Sequence, residues 1–123
     1  MKKNNEIEMS FLAQPTDVNY FGSVHGGNVM KWIDEAAYAL AVQHTHKYCV
    51  TKYVDGIEFI NPISIGDLVH LHARVLQKGT TSIRMHVTVC SENLVSNRRL
   101  ENCACDIVFV AVDKQGNKQK IQD

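Results

Sequence analysis

The residues best suited to chemistry lie in one stretch, Asp17 to Gln43. There His25-Gly26-Gly27 leads into a mostly apolar segment that carries Asp34, with Glu35 beside it, in its early turns. Two glycines feeding a helix N-terminus leave backbone N–H groups pointing at an incoming oxygen, and the aligned peptide dipoles favour negative charge there. A carboxylate one or two turns further along can sit near that oxygen. The combination reads as a catalytic loop and helix. Each residue taken alone has a plainer reading. An aspartate on a helix is usually solvated or a cap, Asn19 in the loop is most simply an Asx-turn residue, and Glu35 is a solvated or salt-bridged neighbour. The Gly-Gly pair upstream and the apolar run Ala36 to Val42 tip Asp34 toward catalysis.

Other reactive side chains fit structural roles better. The four cysteines, Cys49, Cys90, Cys103 and Cys105, form no C-x-x-C pair and sit in strand-like apolar stretches. That suits reduced, buried thiols rather than a disulfide frame or a zinc site. His44 and His46 fall at a helix end, where the dipole favours them. His70, His72 and His86 share the polar face of a sheet, and Asp106 is the one carboxylate or thiol alternating with them. A solvated or subunit-packing face is therefore expected, and no metal. Trp32 reads as packing.

These groups must be positioned by a chain of 123 residues, enough for one core, so a single domain over 1–123 is expected. Its formal net charge is zero with 45% hydrophobic residues. That argues against a nucleic-acid binder working by blanket charge, and the lack of colloidal repulsion favours a defined oligomer. No apolar run follows Met1-Lys2-Lys3-Asn4-Asn5-Glu6, so no secretion signal is read there. The longest apolar run, Ala36 to Val42, is far short of the ~20 residues that span a bilayer. A cytoplasmic protein with no membrane contact is expected.

Glu6 to Leu12 alternates loosely as a first strand, ended by Pro15. A helix is expected from Asn28 as N-cap to His44–Lys47, with Val29, Ile33, Ala36, Ala37, Leu40 and Ala41 at helical spacing. It is apolar nearly all round, as a buried helix would be. Cys49 to Ile60 reads as a long strand with a bend or bulge at Gly56. Three further strands alternate with period two: Val69 to Val75, Ile83 to Val89 and Cys103 to Ala111. Lys78-Gly79-Thr80-Thr81 is a hairpin connection, Asn93 to Arg99 a longer polar one, and the tail 114–123 is expected to fray. The order is strand, loop, helix, four strands. An α+β fold follows, in which a five-stranded antiparallel sheet buries its one apolar face by wrapping around one long central helix. The Cys49–Ile60 strand would be an exposed edge unless paired, and pairing it with its own copy gives a closed dimer.

This arrangement and its residues resemble the hotdog-fold acyl-CoA thioesterases, in particular the branch of cytosolic acyl-CoA hydrolases. The matching segments are Asp17-Val18-Asn19 with Gly22 to Gly27, Met30-Lys31 with Asp34-Glu35-Ala36, and Phe59-Ile60-Asn61-Pro62 with Gly66-Asp67. Ser91 to Leu94 with Arg98-Arg99-Leu100, and Phe109 to Asp113, complete the set. The resemblance implies hydrolysis of a fatty acyl-CoA thioester to free acid and coenzyme A. It pairs Asn19 in the loop with Asp34 on the helix, one from each chain of a homodimer, with a tetramer or a hexamer of dimers as open extensions. Asp34 would act as general base or as nucleophile, Gly26 and Gly27 would form a backbone oxyanion hole, and His25 would shape the loop. Family position marks Lys78, Gly79, Thr80, Thr81, Ser82, Arg98 and Arg99 for the coenzyme A phosphates, and the acyl tail would lie along the helix and interface, among residues such as Met30, Ile33 and Ala37. No cofactor is implied beyond coenzyme A as part of the substrate. The alternative is a non-catalytic acyl-CoA-binding or regulatory hotdog domain.

Overall fold

Elements follow the chain as β1 (Glu6–Leu12), a 3-10 turn (Pro15–Asp17), α1 (Gly26–Thr45), β2 (Tyr48–Phe59), β3 (Leu68–Lys78), β4 (Ser82–Asn93) and β5 (Arg98–Val112). A computed structural model describes residues 5–121; the first four residues, where a leader was read as absent, and the last two of the tail lie outside the described residues. The strands form one sheet in the order β1-β3-β4-β5-β2, with every pair antiparallel. The expected five-stranded sheet around one helix is what forms, and α1 touches all five strands.

The period-two face of the sheet and the helical stripe make one core. Val69, Leu71, Ile83, Met85, Val87, Val89, Ile107 and Phe109 bury against Val29, Ile33, Ala36, Ala37, Leu40 and Ala41. Removing side chains the size of Ile33 or Leu40 from water stabilises the fold by about 1.5–3 kcal/mol each. The alanines let the curved sheet approach the helix closely.

Four details differ from the sequence reading. The helix begins at Gly26 with His25 as N-cap, three residues before the expected Asn28 cap. The reason is local: Asp17 Oδ1 accepts from Asn28 Nδ2 at 3.0 Å, which draws that side chain away from a capping role. The helix is also not buried all round, since Lys31, Glu35 and Tyr38, spaced by four and three residues, line an exposed face. Asn93 to Arg99 is no long connection. Asn93 pairs with Arg98 across a tight hairpin in which Asn93 Oδ1 accepts from Val95 N and Ser96 N. The tail does not fray over its described part. It turns at Gly116, and Gln119 N donates to Ala111 O and Ile121 N to Thr80 O, each at 2.8 Å.

β2 is an edge strand, as read, because it pairs with β5 alone. The bulge expected at Gly56 is present: the register with β5 shifts between Asp55 and Glu58, and Gly56 has φ +70. Tyr48, Val50, Tyr53 and Phe59 on β2 are large and exposed.

Candidate functional site

The loop before α1 is held by its own hydrogen bonds. Asn19 N donates to Ser23 O at 2.7 Å, and Asn19 Oδ1 accepts from Phe21 N at 2.9 Å and Ser23 N at 3.2 Å. Asn19 therefore makes the Asx-type turn its residue type suggests, and its Nδ2 hydrogens have no partner among the described residues. Asp17 fastens the loop to the helix: its carbonyl accepts from His25 N at 2.9 Å and its Oδ2 from Gln14 N at 2.8 Å. His25 acts through its backbone, its carbonyl accepting from Asn28 N and Val29 N, while its ring makes no capping bond.

As the first two helical residues, Gly26 and Gly27 have N–H groups that no carbonyl one turn back can accept. Both residues are exposed, and neither N–H has an acceptor among the described residues. Their backbone is not left-handed; the positive φ in this loop belongs to Gly22. A Cβ at Gly26 would stand 3.4 Å from the Phe59 ring, in ordinary van der Waals contact, and one at Gly27 would meet nothing within 4 Å.

Asp34 is half-buried, and the Thr51 hydroxyl of β2 donates to its Oδ1. The bond fixes one carboxylate oxygen and leaves the other without a partner among the described residues. Thr51 was missed in the sequence, because a threonine in an edge strand looks like any β-former. Asp34 lies seven residues beyond Gly27, about 10 Å along a helix rising 1.5 Å per residue.

Beside Gly26 opens a largely apolar pocket of about 350 Å³, whose walls include Val29, Phe59, Ile60 and Asn102. Asn102 was also missed. It sits where the β4–β5 register shifts between Val89 and Cys90, and such a bulge re-aims a side chain. Its Nδ2 donates to Asn61 O at 3.1 Å and Pro62 O at 3.3 Å, holding that wall in place. Met30 is half-buried and lies outside these walls, while Ile33 and Ala37 have no exposed surface and offer an acyl chain no contact here.

Within one chain, the residues marked for coenzyme A fall into two groups. The Lys78–Ser82 turn lies at the start of β4, with Gly79 N donating to Ser82 O at 2.8 Å. Ser82 pairs with Val110, next to Phe109, which pairs with Thr51. The turn is thus about two strand spacings, ~10 Å, from Thr51. Arg98 and Arg99 pair with Asn93 and Glu92 at the other end of the 12-residue β4, about 36 Å away at ~3.3 Å per residue.

The outer sheet face corrects the reading of its histidines. Glu92 and Glu6, brought in by β4 and β1, join Asp106 as partners: His70 lies 3.0 Å from Glu92, His72 3.1 Å from Glu6 and His86 2.7 Å from Asp106. No group of three or more His, Cys, Asp or Glu residues able to hold a metal ion occurs among the described residues. The cysteines are free. Burial, reinforced by neighbouring acidic groups, pushes the Cys103 thiol up to about 12 and Cys105 to about 11, so neither is a thiolate nucleophile at neutral pH. No helix among the described residues is long and apolar enough to cross a membrane.

Residues 21–96 match the family described as "Thioesterase superfamily". The chain is 32% identical over 119 residues to the acyl-CoA thioester hydrolase YciA of Escherichia coli (strain K12), covering 94% of this chain and 90% of that protein. It superposes on an apo-hexameric acyl-CoA thioesterase with a TM-score of 0.90 at 31% identity, covering 94% of this chain and 74% of that one. An acyl-CoA hydrolase from Staphylococcus aureus, solved with butyryl coenzyme A and coenzyme A, gives a TM-score of 0.86 at 28% identity, covering 94% and 71%. That enzyme has also been solved with an aspartate, an asparagine or a threonine replaced by alanine.

Proposed function

The chain belongs to the thioesterase superfamily, and from that premise we propose that it hydrolyses the thioester of fatty acyl-CoA to a free acid and coenzyme A. The observation that carries the reading is Asp34 held by the Thr51 hydroxyl. Support comes from the S. aureus enzyme: the sequence separations between its replaced asparagine, aspartate and threonine equal those of Asn19, Asp34 and Thr51 here.

Asp34, with one oxygen fixed, takes a proton from water through the other, and the hydroxide oxygen bonds to the thioester carbon. The carbonyl π electrons move to oxygen, and the N–H groups of Gly26 and Gly27 stabilise the oxyanion. Collapse expels the coenzyme A thiolate, which takes up the proton. In the alternative course Asp34 attacks the carbon itself and expels the coenzyme A thiolate, and water then hydrolyses the resulting anhydride to the free acid and the Asp34 carboxylate. Asn19 Nδ2 orients the water or the carbonyl oxygen, and His25 shapes the loop. The substrate-contact assignments are the Lys78–Ser82 turn for the coenzyme A phosphates, Arg98 and Arg99 as contacts at the far end, and Met30 near the acyl chain. The reaction invokes water and no cofactor, and we place it in the cytoplasm.

The family resemblance takes the asparagine and the acid of one site from different chains of a dimer. The site therefore joins Asp34 of one protomer to Asn19, Gly26 and Gly27 of its partner, with the free β2 edges and their exposed Tyr48, Val50 and Tyr53 pairing about a two-fold axis. Higher assemblies would be built from such dimers. Mixing Asn19→Ala with Asp34→Ala protein under subunit exchange tests this. Random pairing gives mixed dimers with one intact site, and about a quarter of wild-type turnover is expected. Verified exchange with no recovery sinks the shared site.

A further inference from the structure

The segment after β5 folds back onto one particular turn. Asp113 starts it: Asp113 Oδ1 accepts from Gln115 N at 2.9 Å and Asn117 N at 2.8 Å, and Asp113 N donates to Asn117 O at 2.8 Å. Gly116 supplies the left-handed residue at φ +87 that closes the reversal. Val112 and Lys118 then bridge, and Gln119 N donates to Ala111 O. The returning segment ends at Ile121, which is buried in the main core and donates its N–H to Thr80 O at 2.8 Å. Ala111 N donates to the adjacent carbonyl, Thr81 O, at 2.9 Å.

Both tip carbonyls of the Lys78–Ser82 turn are thus tied down. A trans peptide holds its C=O and N–H on opposite sides. Tying Thr80 O to Ile121 therefore aims the Thr81 N–H away from the tail, where a hairpin turn meets solvent. A short turn with a glycine would otherwise sample several peptide orientations. Backbone N–H groups held in one orientation are donors an anion can use without ordering them first.

We propose that the segment Asp113–Ile121 is a strap that fixes the Lys78–Ser82 turn in the shape that receives the nucleotide phosphates of coenzyme A, with Ile121 as the positioning residue. The proposal rests on the thioesterase reading above. It assigns a role in substrate recognition to a tail that touches none of the reacting groups.

The full chain carrying Ile121→Pro loses the N–H that holds Thr80 O, and with it the longer buried side chain and the free φ of residue 121. It is compared with wild type on butyryl-CoA and on butyryl-pantetheine, the same thioester without the nucleotide phosphates. The variant is expected to raise KM for butyryl-CoA about ten-fold, the scale of one lost hydrogen bond. Its kcat should stay within about two-fold and its KM for butyryl-pantetheine should not move, while Ile121→Val should match wild type. Equal losses on both substrates, or none on either, overturn the strap as a recognition element. So does a wild type that treats both substrates alike, although that result leaves Asp34-dependent hydrolysis standing. Turnover of neither thioester by the wild type removes the function itself. If the proline variant does not fold, Ile121→Ala carries the same two-substrate comparison, because losing the buried anchor also loosens the turn.

Discussion

The outer face of the sheet and the helix–β2 side hold opposite kinds of chemistry. Outside, His70, His72 and His86 each sit on a carboxylate, and Arg84 pairs with both Asp55 and Asp106. Inside, the inventory is poorer: one carboxylate, one hydroxyl, and two N–H groups at a helix start. The outer groups satisfy one another across the strands of the sheet and leave little for a ligand. The inner groups are half satisfied, with Asp34 fixed by Thr51 through one oxygen and Gly26 and Gly27 left without acceptors among the described residues. A density of titratable side chains marks a self-paired surface here, and the incomplete set is the one we propose as the site. Pairing across an exposed face contributes about 0–1 kcal/mol per pair, whereas an oriented base in a partly closed site changes a barrier by several times that.

Three substitutions test this contrast, in falling order of effect. Asp34→Asn keeps the shape and removes the base, so coenzyme A release from a panel of acyl-CoAs should fall by about 10²–10⁴ in kcat. Equal turnover by the variant would move the chemistry elsewhere. A wild type that binds every acyl-CoA and turns over none would leave the non-catalytic binding domain as the reading. Thr51→Val removes the donor to Asp34 at similar volume. Losing a hydrogen bond to a charged group costs about 1.5–3 kcal/mol, so kcat should fall about 10–100-fold with KM little changed, and Thr51→Ser should restore most of it. Replacing His70, His72 and His86 together by glutamine should leave kcat/KM within about two-fold and change unfolding free energy by no more than about 3 kcal/mol in all. A large loss of turnover in that folded triple variant would show that the outer face takes part in the site.

Much of this was legible before any coordinates. The period-two strands, the helical spacing from Val29 to Ala41 and the edge character of β2 follow from residue patterns that depend on neighbours within one element. Asp34 and the Gly26-Gly27 pair could be picked out for the same reason, since a helix start and an acid a fixed distance beyond it are local facts. Three features were not legible because they depend on which strands become neighbours. Thr51 meets Asp34 only once β2 packs against α1. Glu6 and Glu92 reach the outer histidines only because β1 and β4 flank β3. The polar tail 114–121 looked frayed because its composition lacks a strand's apolar alternation, yet one buried isoleucine and backbone bonds to Thr80 and Ala111 seat it.

The chain's local chemistry, then, determined the elements and named the acid and the glycines. Tertiary structure alone decided which oxygen of Asp34 is held, which wall Asn102 supports, and that the two sets of basic residues marked for coenzyme A lie at opposite ends of β4. The physical reason is that a hydrogen bond or a contact is set by distances in space, and a sequence fixes those only along a single helix or strand.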